Sequence, residues 1–324
     1  MLSDVSLEII QKCLNGCVHC SSYSNCASET ILGLKTIKIV IDDFVHLGVK
    51  RLCLSGGEPF LHPDIISIVQ YASGKGLLTD VYSSGITGKD GDYHPINRAT
   101  LYECKMAGIN RIMFNLPAAH EEIYDEIMQT HHNFGQVIES IKRAQACGIE
   151  TEIHFVPMKK NKNEIESVVL LADQLGVCQV SFLKLVLHGR AKLYEKEIML
   201  EEEEQKYVQE KLYEIKNKGG KIRIGLPLSY PQNDNRCHAV KGKLYIKFDG
   251  SVFGCEAFKY IRFYDEHEQE IIPNRIQDKR VSEIVETSDY LKRSKELIEK
   301  YSYRDSGCEN CPVQKYLKET KNDV

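Results

Sequence analysis

Three cysteines within eight residues, Cys13-Leu-Asn-Gly-Cys17-Val-His-Cys20, form the first grouping equipped for chemistry. Thiolates are soft ligands that suit zinc or iron–sulfur. The CxxxCxxC spacing places three of them on one loop, with Gly16 easing the turn. Three protein ligands leave a fourth metal position open, as a catalytic metal requires. A structural zinc completed by His19 or Cys26 is the competing reading, although His19 adjoins Cys20 and is an awkward partner in the same tetrahedron. A second grouping, Cys237, Cys255, Cys308 and Cys311, offers four thiolates, enough to close a zinc site or a cubane cluster. A third segment, Ser55-Gly56-Gly57-Glu58-Pro59, combines two glycines that let a ligand approach the backbone with a carboxylate that suits an ammonium group.

The elements that must position these groups repeat. Gly48, Gly76, Gly108, Gly148 and Gly176 each end a stretch of helical spacing and open a β-rich apolar stretch. The clearest helix runs from Asn133 to Cys147, with Val137, Ile138, Ile141 and Ala144 on one side and an Asn133/Gln136 pair resembling a capping box. With an opening strand over Val5 to Gln11, six strands alternate with helices, which predicts an α/β fold with a parallel sheet. Function is then expected at the C-terminal strand ends, where the first cysteine loop and the Gly-Gly-Glu-Pro turn both fall. Beyond Arg190 the pattern changes. The acidic run Glu195 to Glu204 reads as the start of a helix reaching about Lys218, ended by Gly219-Gly220 and followed by a short strand, Ile222 to Leu226. The reading divides the chain into 1–195, a helix and linker over 196–235, and a small cysteine-rich unit over 236–324.

Composition narrows the class. The chain has 324 residues and a net charge of −4, which argues against gripping nucleic acid as its main task. No apolar run approaches the ~18 residues of a membrane span, and the start carries no basic, then apolar, secretion signal. A cytoplasmic protein is expected, and in a reducing compartment clustered cysteines more often bind metal than pair. Cys26, Cys53, Cys104, Cys147 and Cys178 lie outside the two groupings and read mostly as buried, inert thiols.

CxxxCxxC after the first strand, with GGEP after the second, resembles the radical S-adenosylmethionine (SAM) enzymes over roughly residues 4 to 190. The resemblance implies a partial (β/α)6 barrel of the TIM type. It makes Cys13, Cys17 and Cys20 ligands of a 4Fe–4S cluster that also binds SAM. It assigns the methionine end of SAM to Gly56, Gly57, Glu58 and Pro59. Ser84, in a Ser-Ser-Gly segment after the third strand, Asn115 at the end of the fourth, and His19 near the adenine are further expected contacts. Leu187-His188-Gly189-Arg190 is similar to a family segment lying by the adenine. The second grouping, C-x12-G-x4-C and then CxxC, is similar to the SPASM/Twitch extension, which implies an auxiliary 4Fe–4S cluster on Cys237, Cys255, Cys308 and Cys311. Only 13 residues follow Cys311, none of them cysteine, so the shorter Twitch form is the nearer match.

The resemblance implies reductive cleavage of SAM to a 5′-deoxyadenosyl radical, which takes a hydrogen atom from substrate. A low-potential donor such as flavodoxin or ferredoxin is implied as partner. Electron removal by an auxiliary cluster gives oxidation, a dehydrogenation or crosslink; return of a hydrogen atom, for which one of the five remaining cysteines is a candidate, gives epimerisation. A ribosomal peptide is the first expected substrate. Against it, Cys13 lies too near the N-terminus for a preceding peptide-recognition domain. A small molecule, as in aminocyclitol or cofactor-pathway dehydrogenases, is the second. A GTP-cyclising enzyme is disfavoured because the chain ends Asn322-Asp323-Val324 rather than Gly-Gly. A non-catalytic zinc or iron–sulfur module is the third.

Overall fold

A computed structural model describes residues 2–89, 92–230, 237–302 and 310–321. Strands and helices alternate from the start: β1 Asp4–Ile10, α1 Leu34–His46, β2 Arg51–Gly56, α2 Ile65–Gly74, β3 Leu78–Ser83, α3 Arg98–Met106 and β4 Ile109–Asn115. Two helices follow, α4 Glu121–Met128 and α5 Phe134–Ala146, then β5 Glu150–Phe155, α6 Ile165–Leu175 and β6 Val180–Phe182. The helix-ending glycines behave as their spacing predicts. Gly176 caps α6 in the left-handed region at φ 69°, a backbone conformation that L side chains rarely adopt, and Gly48, Gly76, Gly108 and Gly148 also have positive φ.

The start of α5 departs from expectation. Asn133 makes no side-chain cap because its backbone is already near-helical, φ −92° and ψ −9°, instead of in the extended geometry that aims an N-cap oxygen at the first turn. A capping box forms instead on α7, Glu202–Asn217, between Glu201 and Glu204 at the end of the acidic run.

The chain then adds β7 Ile222–Ile224, β8 Lys243–Ile246 and β9 Val252–Phe253. These join a nine-stranded sheet of order β9-β8-β1-β2-β3-β4-β5-β6-β7. All neighbours from β8 to β7 are parallel, and only β9 runs antiparallel. This is the curved, partial-barrel α/β fold expected. β8 returns to the free edge of β1, with Val5 opposite Leu244 and Leu7 opposite Ile246. Three helices follow, α8 Val281–Thr287, α9 Asp289–Tyr301 and α10 Pro312–Lys321. Arg280 and the Val281 amide grip the buried Asp43 carboxylate at 2.6–3.0 Å, fastening α8 to α1.

Alternation along the strands decides what faces the interior. Leu7, Leu52, Leu54, Val81, Ile112, Phe114, Ile153, Phe155 and Phe182 belong to the main apolar core. Between them stand Ser6, Glu8, Asp80, Glu152, His154 and Ser181, buried but polar. Parallel strands covered on both faces usually read as continuous apolar runs, so this polar inner face marks a lumen built for polar contents. A second apolar core gathers the C-terminal aromatics, among them Tyr245, Phe253, Phe258, Tyr290 and Tyr301, with Cys311 in it. The Tyr290 hydroxyl donates to the carbonyls of Phe258 and Ile261 at 2.8 Å, closing that core. Among the described residues no helix is long and apolar enough to cross a membrane.

Candidate active site

The loop after β1 carries Cys13, Cys17 and Cys20, and its path is fixed mainly by backbone hydrogen bonds, with one thiol contact, Cys17 Sγ to Met128 Sδ at 3.5 Å. Cys13 N donates to Asn25 O at 3.0 Å, Gly16 N to Met128 O at 3.1 Å and Val18 N to Ile127 O at 2.9 Å. At Gly16 a Cβ would stand 3.1 Å from the Gln129 Cβ at the end of α4, a tight approach that any larger residue would meet. Arg190 holds the outer side, with Nη1 donating to Cys17 O at 3.1 Å and Nη2 to Ser24 O at 2.6 Å, and its guanidinium lies over the Tyr23 ring. At Gly189 a Cβ would come within 2.7 Å of Ser21 O. The glycine and arginine of Leu187–Arg190 therefore brace the cysteine loop itself, a job that sequence reasoning did not assign them.

All three thiols line one cavity of about 290 Å³ at the C-terminal ends of the strands. Gly56, Gly57, Ser84, Asn115 and His19 line it too. Burial pushes the Cys13 thiol well up, with the charges of Cys17, Glu58 and Cys20 adding to it. Burial and Cys20 push Cys17 to about 12. Cys13 and Cys17 therefore stay protonated alone and become donors when a multivalent soft cation displaces their protons. Both amide atoms of Asn15, the His19 Nδ1 and the Ser24 Oγ are buried with no hydrogen-bond partner among the described residues. Burial lowers His19 to about 4, so its ring is neutral near pH 7. Crowded thiols beside orphaned polar groups fit an iron–sulfur cluster and a polar cofactor.

The Gly-Gly-Glu-Pro turn works differently from the expectation. A Cβ on Gly56 would lie 2.1 Å from Ile10 O, and one on Gly57 2.0 Å from Lys12 O. The close approach these glycines permit is that of the chain leading into Cys13, sealed by Gly57 N to Ile10 O at 2.6 Å and Glu58 N to Lys12 O at 2.8 Å. Glu58 and Pro59 are buried away from the cavity lining. The Glu58 carboxylate is fully occupied: Oε1 accepts from Phe60 N at 3.1 Å and Ser83 Oγ at 2.8 Å, and Oε2 from Ser84 N at 2.7 Å and Ser84 Oγ at 2.6 Å. It staples the end of β2 to the end of β3 and has no lone pair aimed at a ligand ammonium. Glu58→Gln puts an NH2 against these donors. We expect a loss of about 1.5–3 kcal/mol, read as a lower thermal midpoint of the apo chain; an unchanged midpoint would refute the staple.

Sequence reasoning missed a second wall. Glu8, Tyr82, His154, Tyr245, Glu256 and Lys259 also line the cavity. Glu8, Tyr82 and His154 occupy every-second positions of their strands, so the signal was the polar alternation within otherwise apolar strands. Lys259 and Glu256 come from the segment after Cys255. Lys259 Nζ reaches Glu8 Oε1 at 3.2 Å, Ser22 Oγ at 2.9 Å and Ser21 Oγ at 3.3 Å, and lies 4.4 Å from the Tyr245 ring centroid.

Of the second cysteine grouping, Cys311 lies in the C-terminal aromatic core, and Cys237 and Cys255 pack against it. Burial raises the Cys255 thiol, followed by the charges of Glu256 and Cys311, with a smaller contribution from Cys237, so the three thiols are electrostatic neighbours. Cys308 lies outside the described residues. Among the remaining cysteines Cys53 and Cys104 are buried and Cys147 half-buried as expected, whereas Cys26 and Cys178 are exposed.

Comparison with known proteins agrees with this geometry. Residues 7–172 match the Radical SAM superfamily. A probable GTP 3′,8-cyclase of Saccharolobus islandicus (strain M.14.25 / Kamchatka #1) is 28% identical over 198 residues, 60% of this chain and 61% of that protein. The chain thus spans about three fifths of the length of such curated relatives. Streptococcus suis SuiB bound to precursor peptide SuiA superposes with a TM-score of 0.73 at 14% identity, covering 97% of this chain and 70% of SuiB. Native anSMEcpe with bound AdoMet gives a TM-score of 0.67 at 14% identity, covering 99% of this chain and 96% of that one. At these identities the two structures establish the fold. With half the chain matched to the family and its cysteine loop set at the strand ends around one cavity, the protein belongs to the radical SAM superfamily and is an enzyme that uses SAM and a 4Fe–4S cluster.

Proposed function

We propose that this enzyme oxidises an unactivated carbon of a ribosomally made peptide, forming a crosslink or a double bond. The observation that carries the reading is the shared wall: Glu256 and Lys259, directly after Cys255, line the cavity that holds Cys13, Cys17 and Cys20. SAM and the first cluster supply a hydrogen-abstracting carbon radical when bound, and an auxiliary cluster on Cys237, Cys255, Cys308 and Cys311 supplies an outlet for one electron. The chain's own work is placement. Cys13, Cys17 and Cys20 hold the first cluster. The Gly56-Gly57 backbone, Ser84, Asn115 and the neutral His19 flank SAM. Met113, Val156 and Leu183 form an apolar stretch of the lining that keeps water from the reacting carbon. Flavodoxin or ferredoxin is the proposed donor, and a cytoplasmic setting suits the cysteine chemistry. That SuiB is known with a precursor peptide on this same fold supports a peptide as substrate.

The test is anaerobic incubation of the reconstituted chain with SAM, a reductant and any short peptides found encoded beside its gene. A mass loss of about 2 Da in one peptide, two hydrogens removed, is expected. A gain of about 1 Da in deuterated water instead means epimerisation. Unchanged peptides, in a sample that turns over a small molecule from the same locus, overturn the peptide reading.

A further inference from the structure

Beside the cysteine cavity lies a second chamber of about 350 Å³. The two meet at the loop after β6, where Lys184 and Leu185 line both. The chamber's walls are apolar, with Leu187, Leu200, Leu228 and Leu317 among them. Among the described residues its charged groups are all lysines, Lys184, Lys192 and Lys318, and no carboxylate is in its lining. The chain as a whole carries −4, so this rim runs against the overall sign. Its origin differs too. Every lining residue except Pro157 lies beyond residues 7–172, the part matched to the superfamily. The matched part builds most of the cofactor cavity, and later segments of the chain build the chamber beside it, which is where selection of one substrate over another belongs.

We propose that this chamber anchors the substrate peptide through two neighbouring large apolar side chains next to an Asp or Glu, and so presents the adjoining residue to the cysteine cavity. The inference rests on the peptide reading above and adds the class of sequence recognised. The volume lies in the range of ligand pockets, roughly 300–1,000 Å³. Apolar walls supply the affinity by removing side chains from water. The lysine rim supplies the choice of sign, because charges at the edge of an interface act on selectivity and encounter more than on raw affinity. Lys184, donating to Gln205 Oε1 at 2.9 Å, stands at the junction, and Lys192, an ion-pair partner of Glu195, stands at the exposed side.

Three fluorescent pentapeptides with central sequences Leu-Leu-Glu, Leu-Leu-Lys and Ser-Ser-Glu test this by anisotropy on the full chain. Leu-Leu-Glu should bind about tenfold more tightly than either other peptide, and its advantage over Leu-Leu-Lys should shrink as salt rises. The double variant Lys192→Glu/Lys318→Glu should transfer the preference to Leu-Leu-Lys. Both positions are exposed, so the swap leaves the core intact, checked by circular dichroism. Equal binding of all three peptides, or a preference for Glu that survives the charge swap, overturns the proposal. Conversion of a locus-encoded peptide by the unmodified chain tests the parent reading separately, since it does not depend on which pentapeptide binds.

Discussion

Replacing Cys13, Cys17 and Cys20 together by Ala should abolish formation of 5′-deoxyadenosine from SAM and lower bound iron from about eight to about four per chain. The argument is structural. The loop is held by Cys13 N to Asn25 O, Gly16 N to Met128 O and the Arg190 fork, none of which uses sulfur. The variant therefore keeps the backbone bonds that shape its loop, giving up its ligands and the one Cys17 Sγ to Met128 Sδ contact at 3.5 Å. Three thiols lining one cavity are replaced by methyl groups, and among the described residues no other cysteine lines that cavity, the Met113 thioether being the one soft atom left there. The complementary variant, Cys255→Ala with Cys311→Ala, should also fall to about four irons but retain SAM cleavage without substrate. Iron by colorimetric assay and 5′-deoxyadenosine by chromatography, both after anaerobic reconstitution, give the two readings. Eight irons retained in the triple variant would remove the first cysteine loop from its assigned role. Cleavage lost in both variants would mean that the second set is required for the first step rather than for a later one.

The repeating βα architecture was legible in the chain because its signals are local. A glycine that must enter the left-handed region after a helix announces itself one position at a time, and all five such glycines do so. The three thiols and the Gly-Gly turn were legible for the same reason. What escaped was set by partners far apart in sequence. The occupation of Glu58 depends on Ser83 and Ser84, which β3 carries to it from 25 and 26 residues away. The return of β8 to β1 joins positions about 240 apart, as in the pairing of Ser6 with Tyr245. Nothing in the immediate neighbourhood of Tyr245, Glu256 or Lys259 says that they will complete a cavity begun by residue 8. Capping at Asn133 failed for the opposite reason: the residue types were right, but the incoming backbone had already turned helical.

That long-range closure yields the second large effect. Lys259 and Glu8 are both 2% exposed and face each other at 3.2 Å, so the pair ties the segment after Cys255 to the strand before Cys13. Lys259→Met leaves the Glu8 carboxylate buried, with Ser22 Oγ and Phe248 N as its remaining donors among the described residues. Removing one partner of a buried ion pair costs about 3–5 kcal/mol, because the surviving charge has lost both water and its counter-ion. Glu8→Gln should cost less, because the ammonium keeps Ser21, Ser22, the Tyr245 ring and the nearby charge of Glu256. The double variant Glu8→Gln/Lys259→Met removes both charges and should recover most of the loss, since replacing a whole buried pair by neutral groups is often close to neutral. Urea unfolding of the apo chain followed by far-ultraviolet circular dichroism supplies the double-mutant cycle. Additive losses would show that the two charges act on separate parts of the fold. A coupling of several kcal/mol would instead identify one contact through which the auxiliary segment sets the position of the cysteine loop. In that case uncoupled SAM cleavage should follow stability across the series, falling in each single variant and returning in the double.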